Sequence, residues 1–240
     1  MAIKARHTRI LVDGADLSSQ NNSVTVGVST GNQDVTTFQA SAREFLTLDP
    51  EGSIQHNGYF YNSGMEEQLQ AIIAANDAVY VGVGFGTATN GYPVYVLKNS
   101  PAASLTVNSQ VGNVITVSGS WATGEGLQRS IELFTGAVTA TGAQTGRDFG
   151  AAGSAGGTIF VWVTSITGTA INAVITVQSD SASNFATAAS EGTVTFSAIG
   201  GYAAAMTGAI GRYVRVNVTS LGGATGFTFV CAVVVNGVTQ

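Results

Sequence analysis

The chain has 240 residues, of which 45% are apolar and only 10% are Asp, Glu, Lys or Arg, against roughly 25% in an ordinary globular domain. Its net charge of −5 and its scattered basic residues argue against a protein that grips nucleic acid, because that grip requires clustered Lys and Arg. The single cysteine, Cys231, excludes an intrachain disulfide. A surface this poor in charge is typical of one covered by identical neighbours, although an ordinary β-protein with Ser- and Thr-rich faces has the same composition.

The first part of the sequence predicts an arm followed by strands. Residues 1–9 are polar and basic, without the apolar segment of a secretory signal, and predict a flexible arm. Valines alternate with small residues over 23–29, which is the pattern of a half-buried strand. Residues 53–61 predict another strand, in which Asn57-Gly58 leaves a hairpin turn open as an alternative.

Residues 64–77 carry the one clear helix signal in the chain. An apolar stripe recurs there at helical spacing, formed by Met65, Leu69, Ile72 and Ile73. Glu66 and Glu67 fall in the first turn, where their charge complements the helix dipole.

No apolar run reaches the ~18 residues of a membrane helix, so we expect no membrane contact.

The rest of the sequence is rich in strand patterns. Strands are predicted over 78–85, 92–98, 103–108, 114–119 and 130–134, and again over 158–166, 171–178, 193–199, 212–218 and 227–235. Between these two sets, residues 136–157 consist mainly of Gly, Ala, Ser and Thr, which is typical of a linker. We therefore expect an all-β, mainly antiparallel fold. It has a β-sandwich or barrel-like domain with one short helix over 1–135, a linker over 136–157 and an outer β-sandwich over 158–240.

The sequence offers no convincing catalytic, cofactor-binding or metal-binding set, and we expect a protein that is not an enzyme and needs no cofactor. Residues 27–31 match the G-x-S-x-G pattern around Ser29, but that motif requires a following helix and a base histidine, and His56 is the only later histidine. Asp13 and Asp16 are a possible calcium pair, yet D-G-A-D lacks the remaining ligands of a known loop.

Two groups of side chains keep other functions open. A pair of acids at hydrolase spacing is conceivable among the carboxylates of the first domain, although capping and solubility explain them, namely Asp13, Asp16, Asp49, Glu51, Glu66 and Glu67. Aromatic rings in the second domain are candidates for stacking on sugars, namely Trp162, Tyr202 and Tyr213. For Trp162 the favoured interpretation is a core residue, because it lies between Val161 and Val163.

Several blocks of the sequence resemble structural proteins of tailed bacteriophages, of the tail-tube (major tail protein) kind. The blocks are residues 12–18, 22–24, 34–38, 43–45, 52–60, the helix over 66–76, 176–180 and 212–216. The resemblance implies a virion protein, made in the bacterial host cytoplasm, that self-assembles through its sheets into hexameric rings. Stacked rings would form a tube with other virion proteins, and DNA would pass through without specific binding. The same features fit a capsid decoration protein or a carbohydrate-binding module of the virion surface.

Overall fold

The computed structural model describes residues 8–36, 42–43, 45–47, 51–59, 65–75, 79–86, 92–123 and 125–238. Residues 1–7 of the arm predicted over 1–9, the end of the predicted helix at Asn76-Asp77 and the carboxylate Asp49 lie outside these residues. The last two residues of the predicted arm, Thr8 and Arg9, instead begin a strand. The all-β, antiparallel fold class is confirmed. The described strands are, in chain order, β1 (Thr8–Val12), β2 (Ala15–Asp16), β3 (Asn21–Ser29), β4 (Asn32–Asp34), β5 (Phe45–Thr47), β6 (Glu51–Tyr59), β7 (Val79–Phe85), β8 (Pro93–Ser100), β9 (Ala102–Asn108), β10 (Thr116–Thr123), β11 (Leu127–Val138), β12 (Gly142–Ala143), β13 (Arg147–Asp148), β14 (Gly157–Gly168), β15 (Ala173–Asp180), β16 (Ala189–Phe196), β17 (Gly200–Met206), β18 (Tyr213–Ser220) and β19 (Ala224–Val235).

The chain divides into two compact units, each discontinuous in sequence. We call one the core unit, formed by Met1–Ser19, Tyr80–Val96 and Arg129–Gln240, and the other the sheet unit, formed by Gln20–Val79 and Leu97–Gln128. Sequence patterns predicted consecutive domains instead, because they report local periodicity and not which distant strands pair. That domain division stays a prediction.

An eight-stranded antiparallel sheet, in the order β17-β14-β19-β11-β8-β7-β1-β2, forms the framework of the core unit. The sheet is strongly curled. Three strands lie between β14 and β7 in the sheet order, yet Trp162 on β14 donates its Nε1–H to the carbonyl of Tyr80 on β7 at 2.9 Å. Gly82 permits this approach, since a Cβ there would lie 2.6 Å from the Trp162 ring. At the open side of the curl, the carboxylate of Asp13 accepts a hydrogen bond from the Gly201 amide at 2.9 Å.

A second sheet, in the order β12-β18-β15-β16 with β13 also paired to β18, packs on the eight-stranded sheet and completes a β-sandwich. Alternate side chains of β15 and β18 enter the shared core, where Ile175, Val177 and Val216 are almost fully buried. Two packed sheets, as predicted for the outer sandwich over 158–240, are thus present. One of these sheets, however, continues into β1, β7 and β8. The continuity comes from β11, which spans the predicted boundary and pairs with both β8 and β19.

The stretch predicted as a linker, 136–157, carries ladder pairs. Two short strands in it, β12 and β13, pair with β18, and Gly153 bridges to Ile210. Its small side chains lack a period-2 pattern, yet backbone groups of the stretch still find partners on β18. Composition alone predicted a linker because it reports side chains and not backbone pairing.

The sheet unit contains a four-stranded antiparallel sheet in the order β3-β6-β10-β9, a two-stranded ribbon of β4 and β5, and helix α1 (Met65–Ala75). The helix packs against β9 and β10, and Leu69 from its predicted apolar stripe is fully buried. Asn57 and Gly58 lie inside strand β6, so the hairpin alternative at this dipeptide is wrong. No helix in the described part of the chain has the length and apolar character that crossing a membrane requires.

Candidate assembly surface

One face of the four-stranded sheet carries a continuous set of uncharged polar side chains, with the outward-facing Glu51 and Tyr59 at the two ends of β6. Strand β6 alternates buried and accessible residues, so Ile54 and His56 face the core while Gln55 and Asn57 face outward. The same alternation on the neighbouring strands completes the surface. We call it the polar face, and its members are Ser23, Thr25, Gln55, Asn57, Ser104, Thr106, Asn108, Thr116, Ser118 and Ser120.

The register aligns these side chains into rows that run across the strands. In one row Asn57 is flanked by Ser23 on β3 and by Ser118 on β10, and Ser118 in turn lies opposite Thr106 on β9. The next row repeats the arrangement two residues along, with Thr25, Gln55, Ser120 and Ser104. Since neighbouring strands are about 4.8 Å apart, the sequence has produced a regular array of hydroxyl and amide groups.

The polar face lines an open depression of about 500 Å³. Sites for small organic ligands of that size are mostly apolar with a few convergent polar groups, whereas here polar side chains form most of the lining. None of these side chains carries charge, so the surface can neither neutralise phosphates nor strongly repel them. Its chemistry suits contact with water and weak contact with passing polymers.

Both outer strands of this sheet are open. In the described sheet order β3 pairs only with β6, and β9 only with β10, so one backbone edge of each remains available. Isolated proteins usually protect such edges with Lys or other charges, but neither Asn21–Ser29 nor Ala102–Asn108 contains a charged residue. These two strands are therefore suited to pair with strands of another copy.

The hairpin between β9 and β10 exposes several large apolar side chains. Its tip, residues 109–115, turns through a hydrogen bond from the Asn113 amide to the Gln110 carbonyl at 3.0 Å. Val111 is completely exposed and Val114 is 65% exposed, with Val107 and Ile115 next to them also accessible. Apolar groups gathered at one tip and left in water are typical of an interaction site. We call residues 109–115 the hairpin tip.

His56 lies beneath the polar face and is 2% exposed. Its Nδ1 is 3.0 Å from Oδ1 of Asn21, which fixes the Nδ1–H tautomer because that oxygen only accepts. Its Nε2 is buried without a hydrogen-bond partner among the described atoms. Burial lowers the pKa of His56 from 6.5 to about 4, because a charged imidazole would lose its hydration there.

The structure does not assemble a nucleophile at Ser29. This serine ends strand β3, opposite Glu51, while His56 lies opposite Val24. Five residues of extended chain separate the two positions, which is roughly 17 Å. The sequence following Ser29 leads into strand β4 and not into a helix, so the strand–turn–helix context of the motif is missing.

Two of the carboxylates considered from sequence have separate structural partners. Asp13 accepts from the Gly201 amide and Asp16 accepts from the Ser18 amide at 3.0 Å. Glu67 is exposed in the first turn of the helix, as predicted, and Glu51 is exposed on β6. Within the described residues no three His, Cys, Asp or Glu side chains gather into a group that could hold a metal ion.

The three aromatic candidates for sugar stacking differ in accessibility. Trp162 is completely buried, in agreement with its favoured assignment to the core. Tyr202 packs against Phe196 and donates its hydroxyl to the Ala198 carbonyl at 2.9 Å. Tyr213 alone of the three lies on the outer face of the five-stranded sheet, with the Arg212 guanidinium 5.3 Å from its ring centre.

No family model matches this chain, and no curated protein is similar to it. Solved structures that resemble it in part include a chain from the virion of a native gene transfer agent particle, with a TM-score of 0.38 and 15% identity, covering 50% of this chain and 94% of that one. A chain of the anti-feeding prophage baseplate has a TM-score of 0.36 and 8% identity, covering 54% and 95%. The Dit protein of phage SPP1, described as part of a hub adsorption apparatus, has a TM-score of 0.31 and 12% identity, covering 94% and 98%. At these TM-scores the likenesses assign neither fold nor function.

Proposed function

We propose that this chain is a structural protein of a bacteriophage tail, and that its copies assemble side by side through the four-stranded sheet into stacked rings of a tube. The observation that carries the proposal is the pair of open, uncharged edge strands, β3 and β9, on a sheet whose polar face is also open. Residues 22–24 of β3 also belong to one of the blocks that resemble tail-tube proteins.

Lateral assembly satisfies the physical requirement of the edges. If β9 of one copy pairs with β3 of the next, the backbone donors and acceptors of both strands gain partners, and the sheet continues around a ring. Because the register of each strand alternates core and polar residues, the polar faces of successive copies join into one lining. A ring closed in this way has no exposed edge left to template aggregation.

The polar face is then the surface that lines the lumen. A lining of hydroxyl and amide groups lets DNA pass, because it offers phosphates no cationic partner at which to stop. The net charge of −5 acts in the same direction by discouraging non-specific adhesion elsewhere on the subunit. In this proposal the passing DNA is a cargo and not a ligand.

The hairpin tip supplies the contact between rings. It presents Val111, Val114 and Ile115 to solvent, and burying these side chains against the next ring would favour stacking along the tube axis. A protein of this function resides in the virion, with other tail proteins as partners at the ends of the tube. A capsid decoration protein is the alternative, and it requires neither lateral pairing nor stacking.

Sedimentation velocity over a wide concentration range, followed by negative-stain imaging, tests the proposal on the full chain. We expect a species much larger than 24.4 kDa, appearing as rings or stacked rings. A compact monomer at every concentration would contradict assembly through open edges. Monomers that associate only when capsids are added would support the decoration function instead.

A further inference from the structure

The outer face of the five-stranded sheet carries a fixed arginine that the assembly proposal does not use. On β18 the valines at 214, 216 and 218 enter the sandwich core, so Tyr213, Arg215 and Asn217 project from the other face. Arg215 donates its Nε–H to Oε1 of Gln178 on the adjacent strand at 2.9 Å. Its guanidinium carbon lies 4.3 Å from the centre of the Phe185 ring.

The Phe185 ring is placed under this guanidinium by a constrained loop. Phe185 has a φ of 53°, a left-handed conformation that bulky residues rarely adopt. Its ring occupies the space left by Gly146, where a Cβ would lie 2.3 Å from the ring edge. The carboxylate of Asp180 anchors the loop by accepting from the amides of Ala182 at 3.0 Å and Thr187 at 2.8 Å. A strained residue held by this many contacts is a common sign of a functional position.

The charge of Arg215 is not neutralised within the described residues. Two other arginines have carboxylate partners: Nη2 of Arg212 is 2.7 Å from Oδ2 of Asp148, and Nη1 of Arg9 is 3.1 Å from Oε2 of Glu132. Arg215 has only the neutral Gln178 and Phe185, and neither occupies its terminal nitrogens. A guanidinium whose plane is fixed while its terminal N–H groups stay free is suited to bind an oxyanion through two parallel hydrogen bonds.

The surroundings of Arg215 favour a saccharide as the carrier of that oxyanion. Amide groups of Gln178 and Asn217 and the Tyr213 ring are half-buried around it, and the Thr193 hydroxyl is exposed nearby on β16. Amides and hydroxyls match the hydroxyl groups of a sugar, and an aromatic face matches its C–H surface. An apolar pocket of the kind that anchors a peptide side chain is not formed by these residues.

We propose that the outer face around Arg215 binds the carboxylate or phosphate group of an acidic saccharide. In this site Arg215 grips the oxyanion, while Gln178 and Phe185 hold the guanidinium in place. Tyr213 and Asn217 contact the adjoining sugar ring. The site is independent of the assembly function, because it involves neither the polar face nor the edges β3 and β9.

Binding to the full chain is measured by titration while the Nε–Hε resonance of Arg215 is followed by NMR. The probes are an oligogalacturonate for the carboxylate, a glycerol phosphate oligomer for the phosphate, maltohexaose as the neutral saccharide and polyglutamate as an acidic peptide. We expect one acidic saccharide to shift the Arg215 resonance, and binding to weaken as salt rises. Maltohexaose should bind far more weakly.

Matched variants distinguish specific binding of the oxyanion by Arg215 from general electrostatic attraction. Arg215→Lys keeps the charge but loses the fork, and should weaken binding by about tenfold without lowering thermal stability. Arg129→Lys is the control, because Arg129 is exposed and has no comparable ring or amide partner in the described part of the chain. The proposal is overturned if neither acidic saccharide binds, if polyglutamate or maltohexaose binds as tightly, or if Arg215→Lys changes nothing.

Discussion

The core unit buries both faces of its longest strands, whereas within the described residues of the sheet unit one face of the sheet and both outer strands are open. In β14 every residue from Ile159 to Val163 is completely buried, because the curled sheet covers one face and the five-stranded sheet covers the other. In β3 of the sheet unit no described residue is fully buried. The core unit therefore covers its longest strands itself, whereas the outer strands of the sheet unit have one described partner each, and in our proposal neighbouring copies supply the second.

The largest effect on assembly is expected from charges placed on the hairpin tip of the sheet unit. The double change Val111→Asp and Val114→Asp should abolish stacking while changing the free energy of unfolding by no more than about 0.5 kcal/mol, because both side chains are in water in the single subunit. Sedimentation velocity and urea denaturation measure the two effects. Ile199→Asp in the core unit is the control, since Ile199 is also exposed. Stacking that survives the double change would show that the tip is not a contact.

Acid should weaken the sheet unit through His56. Its folded-state pKa of about 4 lies below the unfolded value of 6.5, so the unfolded chain binds the proton more readily between these pH values. The free energy of unfolding therefore has its full value above pH 6.5 and falls by about 3 kcal/mol as the pH drops to 4. Urea denaturation at pH 7.5 and 4.0 gives this loss, and His56→Gln should lack that share of it. Equal losses in both proteins would disprove the assignment.

A methyl group at Gly119 should destabilise the sheet unit by about 2 kcal/mol. The added Cβ would lie 2.4 Å from Nε2 of His56, so the imidazole or the strand must shift. Gly27→Ala on β3 is the matched control, because there the new carbon meets only the Ser53 hydroxyl at 3.2 Å. Thermal melting compares the two variants. A Gly119→Ala protein as stable as Gly27→Ala would mean that His56 is not packed against this glycine.

The smallest effect on stability is expected from replacing the two buried tryptophans, one in each unit. Trp162 in the core unit donates to the Tyr80 carbonyl at 2.9 Å, whereas the buried Nε1–H of Trp121 in the sheet unit has no partner among the described atoms. Trp162→Phe should therefore lower the free energy of unfolding by about 1 kcal/mol more than Trp121→Phe. Urea denaturation of both variants measures the difference. A larger cost at Trp121 would contradict the hydrogen-bond assignment.

The sequence predicted most strands and the helix because their signals are local. Alternation over 23–29 and the apolar stripe ending at Ile73 each depend on neighbours within two turns or a few residues. Strand β17, GGYAAAM, was missed because its residues have little strand propensity. It nevertheless pairs with β14 along its whole length, and this distant partner has no local signal in the sequence.

Features that depend on distant pairing could not be predicted from the sequence. Nothing local to Leu11 indicates that it pairs with Gly82, or that β11 joins strands from both ends of the chain. The sequence predicted the polar face only in part, since Ser118 and Ser120 alternate with Val117 and Trp121. The rows across the sheet could not be predicted, because they depend on the register between β3, β6, β10 and β9. The sequence likewise could not show that Phe185 lies under Arg215, because a loop and a strand 30 residues apart meet only in the folded sheet.

Amide hydrogen exchange of the full chain at low and high concentration tests the dependence of the sheet unit on neighbours most directly. We predict that edge amides of β3 and β9 exchange rapidly in dilute subunits and become protected on assembly, because strands of adjacent copies then accept their hydrogen bonds. Amides of the inner strands β6 and β10 should be protected under both conditions. Edge amides that exchange at the same rate in subunits and assemblies would contradict assembly through this sheet.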